Sequence, residues 1–330
     1  MIFSLLSFTL LGLVPLAQWV FGVPSLDFDA MAAAAFARTG VPWTSNLVDV
    51  VRLALVEPGL WLLLLGSAVP TLAALTMLLV ARDAGALTAW VRRLSPALLW
   101  RAASSGAVVP FAIVCAAIVL GLFATFEVRE ALGATYERTF EAASAAILPA
   151  LLASMFLDQG AILEEGGWRG YAGPTLQRAG MRPLSAAILV GIAWGLWHLP
   201  RDVVTGVIDR LGGFDYALLY LPSFFSGTVA VSIIAAYCMN RLGGSLWPAI
   251  AVHGLTNDAV GMSGSAAIDV ALTPFHQATK AAPLAVIAGI IVLSAGPMIG
   301  APRGSAQRIE RVTTGLGSRG KPLKNCKRRS

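Results

Sequence analysis

The stretch LWLLLLGSAVPTLAALTMLLV, residues 60–80, carries no charged side chain. A helix crosses the ~30 Å hydrocarbon core of a bilayer with about 20 predominantly apolar residues. This run has that length and that composition, and it is one of several. The 330-residue chain is 57% apolar and 13% charged, with a mean hydropathy of +0.73. Soluble domains have about 25% charged residues and 45–50% apolar ones, so this much apolar surface cannot be hidden in one soluble core. Unbroken runs also argue against a transmembrane β-barrel, whose strands alternate apolar and polar positions. The expected fold is all-α and polytopic. Nucleic-acid binding is not expected. The three cysteines (Cys115, Cys238 and Cys326) lie far apart, two of them in apolar runs, so a disulfide-built secreted fold is not expected either.

A ruler of about 20 apolar residues gives eight expected spans: 2–23, 59–81, 104–125, 142–163, 183–199, 216–239, 245–261 and 283–300. The first has no basic residue ahead of it and no small-x-small cleavage site, so it reads as a helix rather than a signal peptide. Loop charge then sets the orientation. The loop 82–103 carries Arg82, Arg92, Arg93 and Arg101 against Asp83, the segment 170–182 carries Arg178 and Arg182, and Arg241 follows the sixth span. With eight spans these share one side with residues 302–330, which hold nine Lys/Arg and one acid. Loops 24–58 and 126–141, on the other side, each hold four acids against two basic residues. An excess of Lys and Arg marks the cytoplasmic side, so both termini of a multi-pass cell-membrane protein are expected inside. The net charge of +6 resides in the tail, which is +8 alone while the rest is −2. Two parts are expected: a transmembrane domain over 1–301, and a basic tail over 302–330, disordered, cytoplasmic and close to anionic lipid.

Ionisable groups inside spans are costly and usually mark function. They gather in three islands. Glu164-Glu165-Gly166-Gly167-Trp168-Arg169-Gly170 closes the fourth run. On a helix Glu165 and Arg169 are i and i+4 and can pair, while Glu164, rotated about 100° away, can face a cavity. Trp194-Gly195-Leu196-Trp197-His198-Leu199-Pro200 places Trp194 and His198 on one face, and Pro200 predicts that the helix ends or bends just beyond. His253-Gly254-Leu255-Thr256-Asn257-Asp258 places His253 and Asn257 on one face. Each island alone is accounted for by an interfacial cluster or by interhelical polar contacts. Together they are not. The segment 179–183 reads as a tight turn, and Glu164 and His198 stand 17 residues either side of Met181, at equal depth in an antiparallel pair. The third histidine, His276, reads as a solvated loop residue.

One carboxylate, two histidines and one carboxamide form a hydrolytic set. A carboxylate can take a proton from water, and imidazole and carboxamide N–H groups can donate to an oxyanion. The same residue types can instead hold zinc as two histidines and a glutamate plus water, although no His-Glu-x-x-His pair is present.

Glu-Glu-x-x-x-Arg at 164–169, aromatic-x-x-x-His at 194–198 and His-x-x-x-Asn at 253–257, in this order, resemble the CPBP family. These are the CAAX prenyl proteases and bacteriocin-processing enzymes, also called Abi proteins. The resemblance covers residues 142–262, with Trp194 where phenylalanine is often found. It implies an eight-helix intramembrane endopeptidase whose catalytic groups open to the cytosolic side. Glu164 with His198 would activate water, His253 with Asn257 would form the oxyanion site, and Glu165 and Arg169 would support them. The substrate would be a membrane-associated peptide or protein. No cofactor is then required, because Asn257 suits an oxyanion donor better than a zinc ligand. Zinc on Glu164, His198 and His253 is the alternative. The competing functions are a non-catalytic immunity or scaffold protein and a proton-coupled transporter. A transporter should show a two-half repeat with broken helices in matching positions, and none is evident.

Overall fold

The computed structural model describes residues 2–21, 27–41, 44–103, 106–131, 147–258 and 273–301. The expected tail at 302–330 lies outside these residues, as does the part of the seventh span beyond Asp258. Among the described residues every regular element is helical, with one isolated β-bridge between Asn46 and Asp158. The elements are α1 (Ile2–Phe21), α2 (Phe28–Thr39), α3 (Leu47–Ala54), α4 (Leu60–Val80), α5 (Ala84–Arg93), α6 (Pro96–Ala103), α7 (Val108–Ala131) and α8 (Ile147–Leu157). Then come α9 (Gln159–Gly167), a π-helical turn (Trp168–Ala172), α10 (Gly173–Arg178) and α11 (Pro183–Val204). Two short turns, α12 (Val207–Leu211) and α13 (Gly213–Asp215), lead to α14 (Leu221–Arg241), α15 (Trp247–Asp258) and α16 (Thr273–Ala295).

The protein is an all-α, polytopic membrane protein. Among the described residues five helical stretches are long and apolar enough to cross a bilayer: Leu60–Val80, Val108–Arg129, Pro183–Val204, Gly213–Arg241 and Pro274–Met298. The expectation of eight therefore holds for five on length and composition. The fourth expected span is not one helix. It breaks at Asp158, between α8 of 11 residues and α9. The seventh is seen as a 12-residue helix, about 18 Å long at 1.5 Å per residue. The eighth begins ten residues early, at Thr273 rather than 283, because Gln277 and Lys280 face a cavity instead of lipid. His276 is thus a buried helical residue, 9% exposed, and not a solvated loop residue. Nor does α11 stop near Pro200; it continues to Val204. Arg201 there donates twice to Asp202, whose second oxygen accepts from the Tyr216 hydroxyl.

Close helix contact depends on residues without side chains. A Cβ on Gly167 would sit 2.4 Å from the Pro70 backbone, so α9 and α4 can touch there only through glycine. A Cβ on Gly191 would lie 2.7 Å from Val229 Cα, which brings α11 against α14. Small residues that let backbones approach are the usual interface of membrane helices. The indole of Trp90 on α5 completes this layer by donating to the Gly166 carbonyl at 2.9 Å.

Replacing Gly167 by alanine should force α4 and α9 apart, costing about 1–3 kcal/mol as overpacking does. Gly289→Ala is the matched control, because no atom lies within 4 Å of its Cβ position. Thermal unfolding in detergent should show a lowered midpoint for the first and an unchanged or slightly raised one for the second.

Candidate active site

Three helices carry the polar islands, and a fourth feature, the break before α9, sets their register. Asp158 is fully buried at that break, and its Oδ1 accepts from Ala161 N at 2.6 Å, capping α9. Gln159 N, the next free donor, bonds to the Ser45 carbonyl at 2.8 Å. The helix start is thus satisfied from two directions, one by a segment more than a hundred residues earlier.

α9 then directs its two glutamates to different places. Glu165, with no exposed surface, points into protein. Its Oε1 accepts from Arg169 Nη1, one turn on, and from His253 Nδ1 at 2.9 Å. The guanidinium also lies over the Trp194 ring, 4.7 Å from its centroid. Glu164 instead lines a cavity of about 520 Å³. Its Oε2 accepts from the Trp194 indole at 2.7 Å. Its Oε1 lies 3.5 Å from the point where a Cβ on Gly160 would stand, and Asn257 Nδ2 lies 3.5 Å from the same point. The two groups therefore face each other across a glycine, and any side chain at 160 would enter the space between them.

His198 lines the same cavity, and its Nδ1 is 2.8 Å from the Trp194 carbonyl. A carbonyl can only accept, so Nδ1 carries the proton and the lone pair is on Nε2. Glu164 and His198 do not hydrogen-bond to each other. Trp194 joins them, through its indole on one side and its carbonyl on the other. His253 is oriented in the same way, with its Nδ1 toward protein and its Nε2 toward the cavity. Glu165 Oε1 accepts from Arg169, and Nδ1 of His253 is the second donor to the same oxygen. Asn257 lines the cavity and donates through Nδ2 to Asp158 Oδ1 at 3.2 Å. That bond fixes which way the amide points and leaves its second N–H for the cavity.

The structure thus brings Glu164, His198, His253 and Asn257 to one cavity and leaves Glu165 and Arg169 behind it. The sequence reading missed Asp158, which orients Asn257, and treated Trp194 only as a motif position. Asp158 carries the signal that exposed the others: an acid within an apolar run. Zinc fits this arrangement poorly. Among the described residues no three His, Cys, Asp or Glu side chains are placed to share one ion.

Residues 144–258 match the model of the type II CAAX prenyl endopeptidase Rce1-like family. This segment belongs to the CPBP family. All four cavity residues and the Glu165–Arg169 pair fall inside the CPBP segment. The CAAX prenyl protease 2 of Methanococcus maripaludis is 35% identical over 97 residues, which are 29% of this chain. The chain aligns with about a third of that relative, 35% of its length.

Within the CPBP segment the buried pair offers a direct test. Arg169→Met leaves the Glu165 carboxylate with His253 alone as its donor, and breaking a buried pair this way costs about 3–5 kcal/mol. Adding Glu165→Gln should restore much of the thermal stability lost by Arg169→Met alone. A double variant no more stable than the single would show that the pair does not hold this layer.

Proposed function

We propose that the chain is an intramembrane endopeptidase of the cell membrane that hydrolyses a peptide bond in a membrane-associated protein or peptide. The observation that supports this most is the convergence of one carboxylate, two imidazoles and one carboxamide on a single cavity. The family membership of residues 144–258, and the printed name of the Methanococcus maripaludis relative, point the same way.

In the mechanism we infer, one water is held by donating to two acceptors, Glu164 Oε1 and the Nε2 lone pair of His198. Glu164 takes one proton as the water oxygen bonds to the scissile carbonyl carbon. The negative charge that develops on the carbonyl oxygen is met by the free N–H of Asn257. His253 adds a second donor at Nε2 in its imidazolium form, because its Nδ1 proton is already committed to Glu165. When the C–N bond breaks, Glu164 returns its proton to the departing amine. The products are a carboxylic acid and an amine; the acid's remaining proton, which faced Nε2 of His198, leaves through that nitrogen to give the carboxylate, and no metal-bound step is required. Trp194 keeps Oε2 of Glu164 occupied, so Oε1 is the oxygen that meets water.

With membrane-embedded enzyme and a cleavable reporter peptide, Glu164→Gln should abolish hydrolysis while the protein stays folded, since the amide keeps the volume but cannot accept the proton. Asn257→Ala should lower kcat by a factor on the order of 10²–10³, the loss typical of one oxyanion donor. Undiminished cleavage by Glu164→Gln would reject the mechanism and the function together.

Chelation separates the two chemistries on the same residues. A strong chelator should leave the wild-type rate unchanged. A rate that falls on chelation and returns with added zinc would instead assign Glu164, His198 and His253 to a metal.

A further inference from the structure

α5 has too few apolar residues to cross a bilayer, yet it begins only a few residues after the α4 span ends at Val80. Its residues divide into two faces. Ala84, Gly85, Thr88, Ala89, Arg92 and Arg93 recur at helical spacing and line one open cleft. The opposite side and the end of the helix are fastened to the catalytic bundle. The Trp90 indole donates to the Gly166 carbonyl on α9 at 2.9 Å. The Arg93 carbonyl accepts from Leu246 N at 2.8 Å, and the Leu94 carbonyl accepts from the Trp247 indole at 2.9 Å. α5 is therefore a brace between α9, which carries Glu164 and Glu165, and the start of α15, which carries His253 and Asn257.

The cleft lies between α5, Leu98 of α6 and the turn after α14, and holds about 640 Å³. Gly243 and Gly244 make that turn with φ of 68° and 80°, and keep its side of the cleft free of side chains. Two arginines line the cleft and, among the described residues, no acid does. Asp83, the acid of this connection, is used at the other end of α5, where its Oδ1 accepts from Ala86 N. Arg93 is half-buried, and its Nη1 reaches the Gly244 carbonyl only at 3.5 Å, a long contact. Burial first, and the nearby charge of Arg178 second, push the pKa of the Arg93 guanidinium below its ordinary value. Positive charge is thus gathered here without a matching carboxylate in the cleft.

A guanidinium meets phosphate oxygens with two parallel N–H donors, which makes arginine pairs suited to phosphate groups. The cleft also stands just past the ends of two spans, Leu60–Val80 and Gly213–Arg241, at the depth where phospholipid headgroups lie. We propose that this cleft binds a phosphate group, and that the phosphate is the headgroup of an anionic phospholipid. The apolar surface on the same connection favours a lipid over free phosphate: Leu98 lines the cleft, while Val91 is 53% and Trp100 80% exposed. Interfacial tryptophan is typical of this depth. The bound anion offsets the repulsion among Arg92, Arg93 and Arg178 and steadies the brace across α9 and α15. Binding and its effect on stability stand apart from the catalytic reading, and only a consequent change in cleavage rests on it.

Thermal unfolding of the full chain in detergent, at constant ionic strength, tests the site without any activity measurement. The probes are phosphatidylglycerol, phosphatidylcholine and inorganic phosphate. Phosphatidylglycerol should raise the wild-type midpoint by roughly 3–8 °C above that in phosphatidylcholine, as a ligand well above its Kd does. Arg92→Gln and Arg93→Gln should each lose at least half of this shift. Arg82→Gln removes an exposed cation of the same connection outside the cleft and should keep the shift. Arg92 is exposed, so its variant decides the question even if Arg93→Gln folds poorly. Equal midpoints in the two lipids, a full shift in Arg92→Gln, or an equal loss in Arg82→Gln would overturn the site. Inorganic phosphate that matches phosphatidylglycerol in the wild type, and fails in Arg92→Gln, would overturn the lipid as its occupant.

Discussion

A carboxylate with no exposed surface is tolerated in a protein interior only if its charge is met, and Glu165 is the point around which the CPBP segment is arranged. Its Oε1 receives Arg169 from its own helix and His253 from α15. Through Arg169 it also fixes the ring of Trp194 on α11. One buried charge thus ties three helices at a single level. Glu164, its neighbour in sequence, takes the opposite direction, and the two roles are separated by the 100° that one helical residue turns.

The second constraint is where α9 begins. A helix start leaves donors that need partners, and Asp158 supplies one of them while Ser45 supplies another. Because Asp158 also holds Asn257, the position of the cap and the orientation of the carboxamide are the same fact. The glycines at 160, 166 and 167 then let Asn257, Trp90 and α4 come close to α9.

Much of this was legible in the residues. The i, i+4 spacing of Glu165 and Arg169 and the shared face of Trp194 and His198 correspond to contacts in the fold, whereas the equal distances from Met181 bring Glu164 and His198 to one cavity with Trp194 between them. What could not be read has a common physical origin. A hydropathy ruler measures the cost of placing each residue in lipid, whereas Asp158, Gln277 and Lys280 meet protein or a cavity. The ruler therefore ran through the break at Asp158 and started α16 too late. Pro200 misled for a related reason. It removes one backbone donor from α11, but the Arg201–Asp202–Tyr216 contacts lie just beyond it and hold the final turn in place.

The i, i+4 placement of Glu165 and Arg169 also has a bearing on biosynthesis. A lone Asp, Lys or Arg at the centre of an inserting helix costs about 2.5–3.5 kcal/mol. His253 lies 88 residues after Glu165, so during synthesis the segment carrying both glutamates enters the membrane well before that partner exists. Within residues 159–172, Arg169 is the one cation, and it stands one helical turn from Glu165. The pair that orders the finished site therefore needs no partner from a later segment: its two charges meet within one turn of their own helix.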